Sequence, residues 1–317
     1  MKLIIQIPCL NEEQALPTTL AALPRQVPGF ETVEWLIIDD GSTDRTVEVA
    51  KAHGVDHVLS LSHNQGLAKA FPSGIMECAR LGADVVVNTD ADNQYDASFI
   101  PALTEPVVNN TADMVIGARP INSIQQFSPI KKLLQNLGSA AVRWASSTKV
   151  KDAPSGFRAM RIQAALQLNV YNDYTYTIET IIQAGHRGFR IINVPVKVNG
   201  DLRPSRLVKS IPAYVSRNML TILRFFVVYK PLRFFALASL LPFFISFGLF
   251  SRFILFYLFV SNAGKIQSLI VAGVMFLFGI MLVAIGLLSD IISINRRLLE
   301  DLRFEAQLRK LEKEREP

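Results

Sequence analysis

The stretch Trp35-Leu36-Ile37-Ile38-Asp39-Asp40-Gly41-Ser42-Thr43-Asp44 decides the fold. Four bulky apolar residues in a short run bounded by turn residues read as a buried strand. Two aspartates end it, and Gly41-Ser42 is a turn pair. Ser42, Thr43 and Asp44 offer caps for a helix predicted to run to His53. The same order recurs on either side. A strand at Leu3–Ile7 leads into Pro8-Cys9-Leu10-Asn11-Glu12 and a helix over Glu13–Leu23. A strand at Asp84–Asn88 leads into Asp90-Ala91-Asp92-Asn93-Gln94 and a helix over Ser98–Val108. Further strands are predicted at Val58–Leu61, Asp113–Ile116 and Phe189–Val198. Further helices are predicted at Gly66–Leu81 (interrupted by Pro72), Lys131–Ala145, Ile162–Leu168 and Thr177–Ala184. This alternation predicts an α/β, Rossmann-like fold with a mostly parallel sheet and helices on both faces. Open sheets of this kind bind ligands at the carboxyl ends of their strands, where all three acidic turns fall.

Two common nucleotide sites are missing. There is no Gly-x-Gly-x-x-Gly after the first strand and no P-loop. The four histidines lack metal-ligand spacing, and there is no Gly-x-Ser-x-Gly. Cys9 and Cys78 suggest neither a disulfide framework nor a metal site, which fits a reducing compartment. Met1-Lys2 leads straight into a strand too short for the apolar core of a signal peptide.

The chain has 317 residues and a formal net charge of +6. From Lys197 to Arg233 eight basic residues face one acid, Asp201. That run abuts the first of two long apolar segments, so anionic lipid headgroups are its expected partner rather than nucleic acid. Phe234–Val260 carries one charge, Arg252, and Ile266–Ser289 carries none. About 20 apolar residues span a bilayer, so the two segments predict a transmembrane hairpin turned by Ser261–Lys265. Basic residues flank its open ends (Arg224, Lys230 and Arg233; Arg296 and Arg297), which predicts that both ends face the cytoplasm. Pro242 is expected to kink the first span, and Arg252 to snorkel to the far interface. Residues 207–222 carry an apolar stripe opposite a basic one and predict a helix lying in the membrane interface. The last stretch predicts a cytoplasmic helix of mixed charge. Its Leu298, Leu302, Leu308 and Leu311 can support contact with a second copy, the plain alternative being a solvated tail. The expected division is therefore 1–200, 201–232, 233–293 and 294–317.

Asp90, Asp92 and Gln94 offer only hard oxygen donors, which select Mg²⁺ or Mn²⁺. Such a cation bridges diphosphate oxygens; the alternative is an acidic turn capping the next helix. Asp39 and Asp40 can accept from a base or a ribose, or serve turn chemistry. Glu12 can contact a nucleotide or complement a helix start. Arg119, after another strand, can clamp a phosphate. Asp152 can act as a base, or orient Arg158 or an acceptor. Glu179, on a helix, reads as a solvated acid.

Taken in order, Pro8-Cys9-Leu10-Asn11-Glu12, Asp39-Asp40-Gly41-Ser42-Thr43-Asp44, Asn64-Gln65-Gly66, Asp90-Ala91-Asp92-Asn93-Gln94 and Ser155-Gly156-Phe157-Arg158 resemble glycosyltransferase family 2. The nearer resemblance is to polyprenyl-phosphate glycosyltransferases, including dolichyl-phosphate mannose synthase-like enzymes, with the GT-A fold. It covers residues 3–200 by motif and the rest by architecture. It implies a nucleotide site at Pro8, Leu10, Asn11, Glu12, Asp39, Asp40, Asp90 and Ala91. It implies Mg²⁺ or Mn²⁺ at Asp92 and Gln94, with Asp90 on metal or ribose. Catalytic work falls to Asp92, Gln94, Arg119 and Asp152, and acceptor phosphate to Arg119, Lys132, Ser155, Arg203 and Arg206. The match is incomplete: Arg203-Pro204-Ser205-Arg206 replaces a Gly-x-Ser-Lys element. A polymerising Gln-x-x-Arg-Trp is missing, since Ala140 precedes Arg143-Trp144.

The expected activity is inverting transfer of a sugar, from UDP first or GDP second, to a polyprenyl phosphate. The expected place is the cytoplasmic face of the cell inner membrane, in a multi-pass protein that can form a homo-oligomer. One rival keeps the chemistry and takes a lipid hydroxyl, with Asp152 as base. Another is a non-catalytic membrane scaffold.

Overall fold

A computed structural model describes residues 1–120, 129–171, 176–200, 223–224, 227–259 and 266–315; side chains 129–135, 137 and 315 lie outside the description. Seven strands form one sheet: β1 Lys2–Cys9, β2 Thr32–Asp39, β3 His57–Ser60, β4 Val85–Asn88, β5 Met114–Ala118, β6 Arg158–Arg161 and β7 Ile191–Pro195. The spatial order is β3-β2-β1-β4-β6-β5-β7. The helices around it are α1 Leu16–Ala22, α2 Thr46–Ala52, α3 Leu67–Arg80, α4 Ile100–Val108, α5 Pro129–Ser146, α6 Ile162–Leu166 and α7 Thr177–His186. The α/β expectation holds.

Strand β1 pairs parallel with β2 and β4, and β2 with β3. Their buried residues, among them Ile5, Ile7, Trp35, Ile37, Val85 and Val87, form the core. Strands buried on both faces need continuous apolar runs, which these have. Three elements depart from expectation. Residues 158–161 form β6, which pairs antiparallel with both β4 and β5. Strand β7 ends at Pro195, and Val198 makes only a lone bridge to Tyr95. Helix α3 continues through Pro72.

The chain divides into two compact units, Met1–Ile222 with Arg303–Pro317, and Leu223–Leu302. The second contains α8, Pro231–Phe259, and the start of α9, Ile266–Arg315. Both helices are long and apolar enough to cross a membrane; the most apolar 18-residue windows have mean hydropathies of 2.0 and 2.7. Only 17% of the most apolar window of each is buried, unlike the core helix of a soluble protein. They pack closely where residues are small. The Ser246 hydroxyl donates to the Ala272 carbonyl at 2.8 Å, and a Cβ at Gly279 would stand 2.7 Å from the Phe243 ring. Small residues at such contacts let apolar helices approach. Arg252 is exposed. Helix α9 runs unbroken past Asn295, with no separate tail helix. The expected interfacial helix at 207–222 lies outside the described residues.

Candidate active site at the carboxyl edge of the sheet

Parallel pairing of β1 with β2 aligns Cys9 with Asp39, so the first two acidic turns leave the sheet side by side. They are laced together. The Asn11 amide donates to the Ser42 hydroxyl at 2.9 Å, and the Thr43 amide to Asn11 Oδ1 at 2.8 Å. The Glu12 amide donates to the Thr46 hydroxyl at 2.8 Å, and the Glu13 amide to Asp44 at 3.1 Å. Asn11 holds a left-handed backbone, φ 54°, which asparagine tolerates. Asp39 Oδ1 accepts the Ser42 amide at 3.0 Å. Asp40 gives both oxygens to the amides of Gln65 and Gly66, at 2.7 and 2.8 Å, and so ties the end of β2 to the start of α3. Gly41 has φ +75°, and a Cβ there would lie 2.7 Å from the Asn64 nitrogen. Only glycine lets these loops close together.

Slight burial raises the Asp44 pKa, but bonds from the Thr46 hydroxyl and from the Glu13 and Thr46 amides outweigh it and leave it below the usual carboxylate value. A depressed native value contributes stability that is complete above the unfolded value, about 3.9, and is lost as pH falls through the native one. The destabilisation by Asp44→Asn is therefore expected to be greatest near neutrality and to shrink as pH falls below the unfolded value of about 3.9. Thermal midpoints of both proteins across that range check this, and a gap independent of pH contradicts it.

The third turn follows β4. Asp90, Asp92 and Gln94 are all partly buried. Asp92 Oδ1 accepts the Gln94 amide at 3.1 Å, and Asn93 takes φ 54° between them. The turn is pinned at both ends. The Thr19 hydroxyl of α1 donates to the Ala91 carbonyl at 2.7 Å. The Asn199 amide donates to the Gln94 carbonyl and its side chain to the Asn93 carbonyl, each at 2.9 Å. Antiparallel β6 delivers its first residues to this same edge. A Cβ on Gly156 would stand 3.1 and 3.2 Å from the two Asp90 oxygens, so only glycine lets the backbone approach the carboxylate this closely. No group of three or more His, Cys, Asp or Glu side chains that could hold a metal occurs among the described residues. Two carboxylates and an amide oxygen suit Mg²⁺ or Mn²⁺ completed by substrate phosphate, since Mg²⁺ is ordinarily bound that way.

Arg119 and Asp152 come together. Arg119 Nε and Nη2 donate to the two Asp152 oxygens at 2.7 and 3.0 Å, and the Arg119 amide adds a third bond at 3.2 Å. Asp152 is fully buried. Burial opposes the Arg119 charge, but the fields of Tyr95 and Asp152 overcome it and raise the guanidinium pKa. The buried Ser155 hydroxyl donates to the Gly117 carbonyl at 2.7 Å. Arg158 is buried and pairs with no carboxylate among the described residues; it donates to the Ser155, Ala153 and Thr177 carbonyls and the Thr180 hydroxyl, so Asp152 orients Arg119 rather than Arg158. Lys132 lies on α5 with its side chain outside the description, and Arg203 and Arg206 lie outside the described residues. Pro8, Leu10, Asn11 and Glu12 stand at the end of β1 as expected.

Sequence reasoning missed several neighbours. Glu179 is a correction: it is fully buried, not solvated, and accepts the Tyr171 amide on both oxygens at 3.0 Å. Asn88, Tyr95 and Tyr176 surround Gly156. Its amide donates to the Tyr95 hydroxyl at 3.1 Å, and its carbonyl accepts from Asn88 Nδ2 at 2.9 Å. Only Asn88 left a signal, as a polar residue closing an apolar strand. Burial pushes the Cys9 thiol up, aided by Glu12 and Asp39, so it stays a protonated core residue.

The family model for glycosyl transferase family 2 matches residues 4–167. An undecaprenyl-phosphate mannosyltransferase of Micrococcus luteus is 30% identical over 65% of this chain and 88% of its own. A UDP-N-acetylglucosamine–dolichyl-phosphate N-acetylglucosaminyltransferase of Methanococcus voltae is 28% identical over 60% and 83%. Among solved structures, glucosyl-3-phosphoglycerate synthase of Mycobacterium tuberculosis, in complex with Mn²⁺, UDP and glucosyl-3-phosphoglycerate, aligns with a TM-score of 0.56 and 22% identity. That alignment covers 70% of this chain and 79% of that one and supports the GT-A fold.

Proposed function

This chain belongs to glycosyl transferase family 2, and on that premise we propose that it moves a sugar, with inversion, from a nucleotide-diphosphate sugar to a polyprenyl phosphate. One observation carries the reading: the turns at residues 8–12, 39–44 and 90–94 leave the carboxyl edge of one sheet, in a chain that also holds two helices long enough to cross a bilayer. The names of the two relatives, both lipid-phosphate sugar transferases, support it. UDP is the first choice of carrier and GDP the second; the UDP complex of the fold neighbour supports the order.

Pro8, Leu10, Asn11, Glu12, Asp39, Asp90 and Ala91 line the nucleotide, and Asp40 serves it by holding the Gln65–Gly66 loop. Asp90, Asp92 and Gln94 hold Mg²⁺ or Mn²⁺. When bound, that cation neutralises charge on the departing diphosphate. A phosphate monoester has a second pKa near 6 and is largely ionised at neutral pH, so the acceptor needs little help from a base. That suits an Asp152 whose oxygens are occupied by Arg119. Arg119 offers an acceptor phosphate its Nη1, with Ser155 shaping the wall behind. Lys132, Arg203 and Arg206 supply further positive charge. Residues 1–200 form the catalytic part, 201–232 lie along the membrane surface, 233–293 span it, and 294–317 return to the cytoplasm together with the amino terminus, at the inner membrane.

The test is a panel of labelled nucleotide sugars with polyprenyl phosphate and the full chain in detergent. Label is expected in the organic phase, released by mild acid as a glycosyl phosphate. An acid-stable product points to a lipid hydroxyl acceptor instead, and no transfer with any donor sinks the enzyme reading.

A further inference from the structure

A buried polar chain crosses the apolar centre of the sheet beneath the site. Gln6 of β1 donates through Nε2 to Asn88 Oδ1 at 2.9 Å. That bond fixes the Asn88 amide, so its Nδ2 faces the Gly156 carbonyl at 2.9 Å and the Tyr176 hydroxyl at 2.8 Å. The Tyr176 hydroxyl itself donates to the Gly156 carbonyl at 3.4 Å. Its ring is fixed in turn: Phe71 of α3 stacks on it at 3.8 Å with the planes 3° apart, and the Arg158 guanidinium lies 5.6 Å from its centroid. Gln6, Asn88 and Tyr176 are all fully buried. Polar groups in a sheet centre are costly unless fully bonded, and when bonded they fix one arrangement.

That arrangement ends at Asp90. Both Asp90 oxygens and the Tyr176 hydroxyl converge on the point where a side chain on residue 156 would begin, at 3.1, 3.2 and 3.2 Å. The Gly156 peptide is thus gripped at its amide by Tyr95 and at its carbonyl by Asn88 and Tyr176, with its open face against the carboxylate. We propose that Tyr176 and Asn88 are positioning residues for Asp90: they hold the Gly156 peptide as a backstop that sets where the carboxylate presents its oxygens to a divalent cation and a nucleotide. This rests on the function proposed above. Tyr176 stands 88 residues beyond its partner Asn88 and belongs to none of the motif stretches.

Tyr176→Phe removes only the hydroxyl and keeps the stacked ring. In the full chain in detergent, with UDP present, Mn²⁺ binding read by electron paramagnetic resonance is expected to weaken roughly tenfold, as for other groups that orient a metal ligand. The thermal midpoint is expected to stay within a few degrees of the parent, and KM for polyprenyl phosphate to stay unchanged. Gly156→Ala places a methyl against Asp90 and is expected to weaken Mn²⁺ binding further, by about a hundredfold. Ile182→Val, a packing change elsewhere on α7, is expected to lower the midpoint and leave Mn²⁺ affinity alone. Should Tyr176→Phe fail to fold, Gly156→Ala decides. Parent-like Mn²⁺ affinity in Tyr176→Phe, or in Gly156→Ala when it is the deciding variant, overturns the inference while leaving the proposed function intact. A parent protein that binds no Mn²⁺ with UDP overturns both.

Discussion

Replacing Asp92 by alanine is expected to lower sugar transfer about a thousandfold, equivalent to about 4 kcal/mol in the barrier. The fold should survive. Asp92 is only partly buried, and its bond to the Gln94 amide is a local turn contact. Asp92→Asn can keep that contact while losing the charge, so it separates turn geometry from cation binding. If charge at this position matters, both variants lose transfer and both keep a parent-like thermal midpoint. The measurement is label entering the organic phase at saturating Mn²⁺. Near-normal turnover by the alanine variant would refute the metal role of this turn.

The second large effect concerns stability. Arg119→Leu leaves the Asp152 carboxylate fully buried without its cation. Removing one member of a buried pair commonly costs about 3–5 kcal/mol, whereas replacing both by apolar residues of similar size is often nearly neutral. Arg119→Leu is therefore expected to lower the thermal midpoint of the full chain by many degrees, and Arg119→Leu with Asp152→Leu to recover much of the loss. Losses that merely add in the double variant would show that the pair is not coupled. Activity alone cannot make this distinction, because both residues stand beside the proposed acceptor.

Much of the fold was legible because it depends on local rules. Apolar runs at residues 3–7, 35–38 and 85–88 are long enough to read as strands, and Asp39, Asp40, Asp90 and Asp92 sit where those runs stop. Strand β6 was not legible. Arg158-Ala159-Met160-Arg161 is short and bounded by charge, and its strand character comes from neighbours on both sides. The roles of Arg119 and Asp152 were half legible: Arg119 read as a phosphate clamp and Asp152 as a base or an orienting acid, but a pairing across 33 positions leaves no periodic trace. Glu179 misled because an acid on a helix is normally solvated, whereas here the Tyr171 amide and the Gln183 side chain donate to its buried carboxylate. Tyr176 gave no local sign, since its partners come from β4, α3 and the loop before β6.

The position of β6 between β4 and β5 also bears on how the chain is made. During synthesis, the first four strands can assemble by right-handed crossovers as soon as Asn88 has emerged. One side of Val85-Val86-Val87 then stays bare until Arg158–Arg161 leaves the ribosome, many seconds later at the low end of about 5–20 residues per second. An unpaired apolar strand is a template for joining another nascent chain. Truncations ending before residue 158 should therefore clump, whereas those that include β6 gain a covered edge, and chaperone demand should fall at that point in translation.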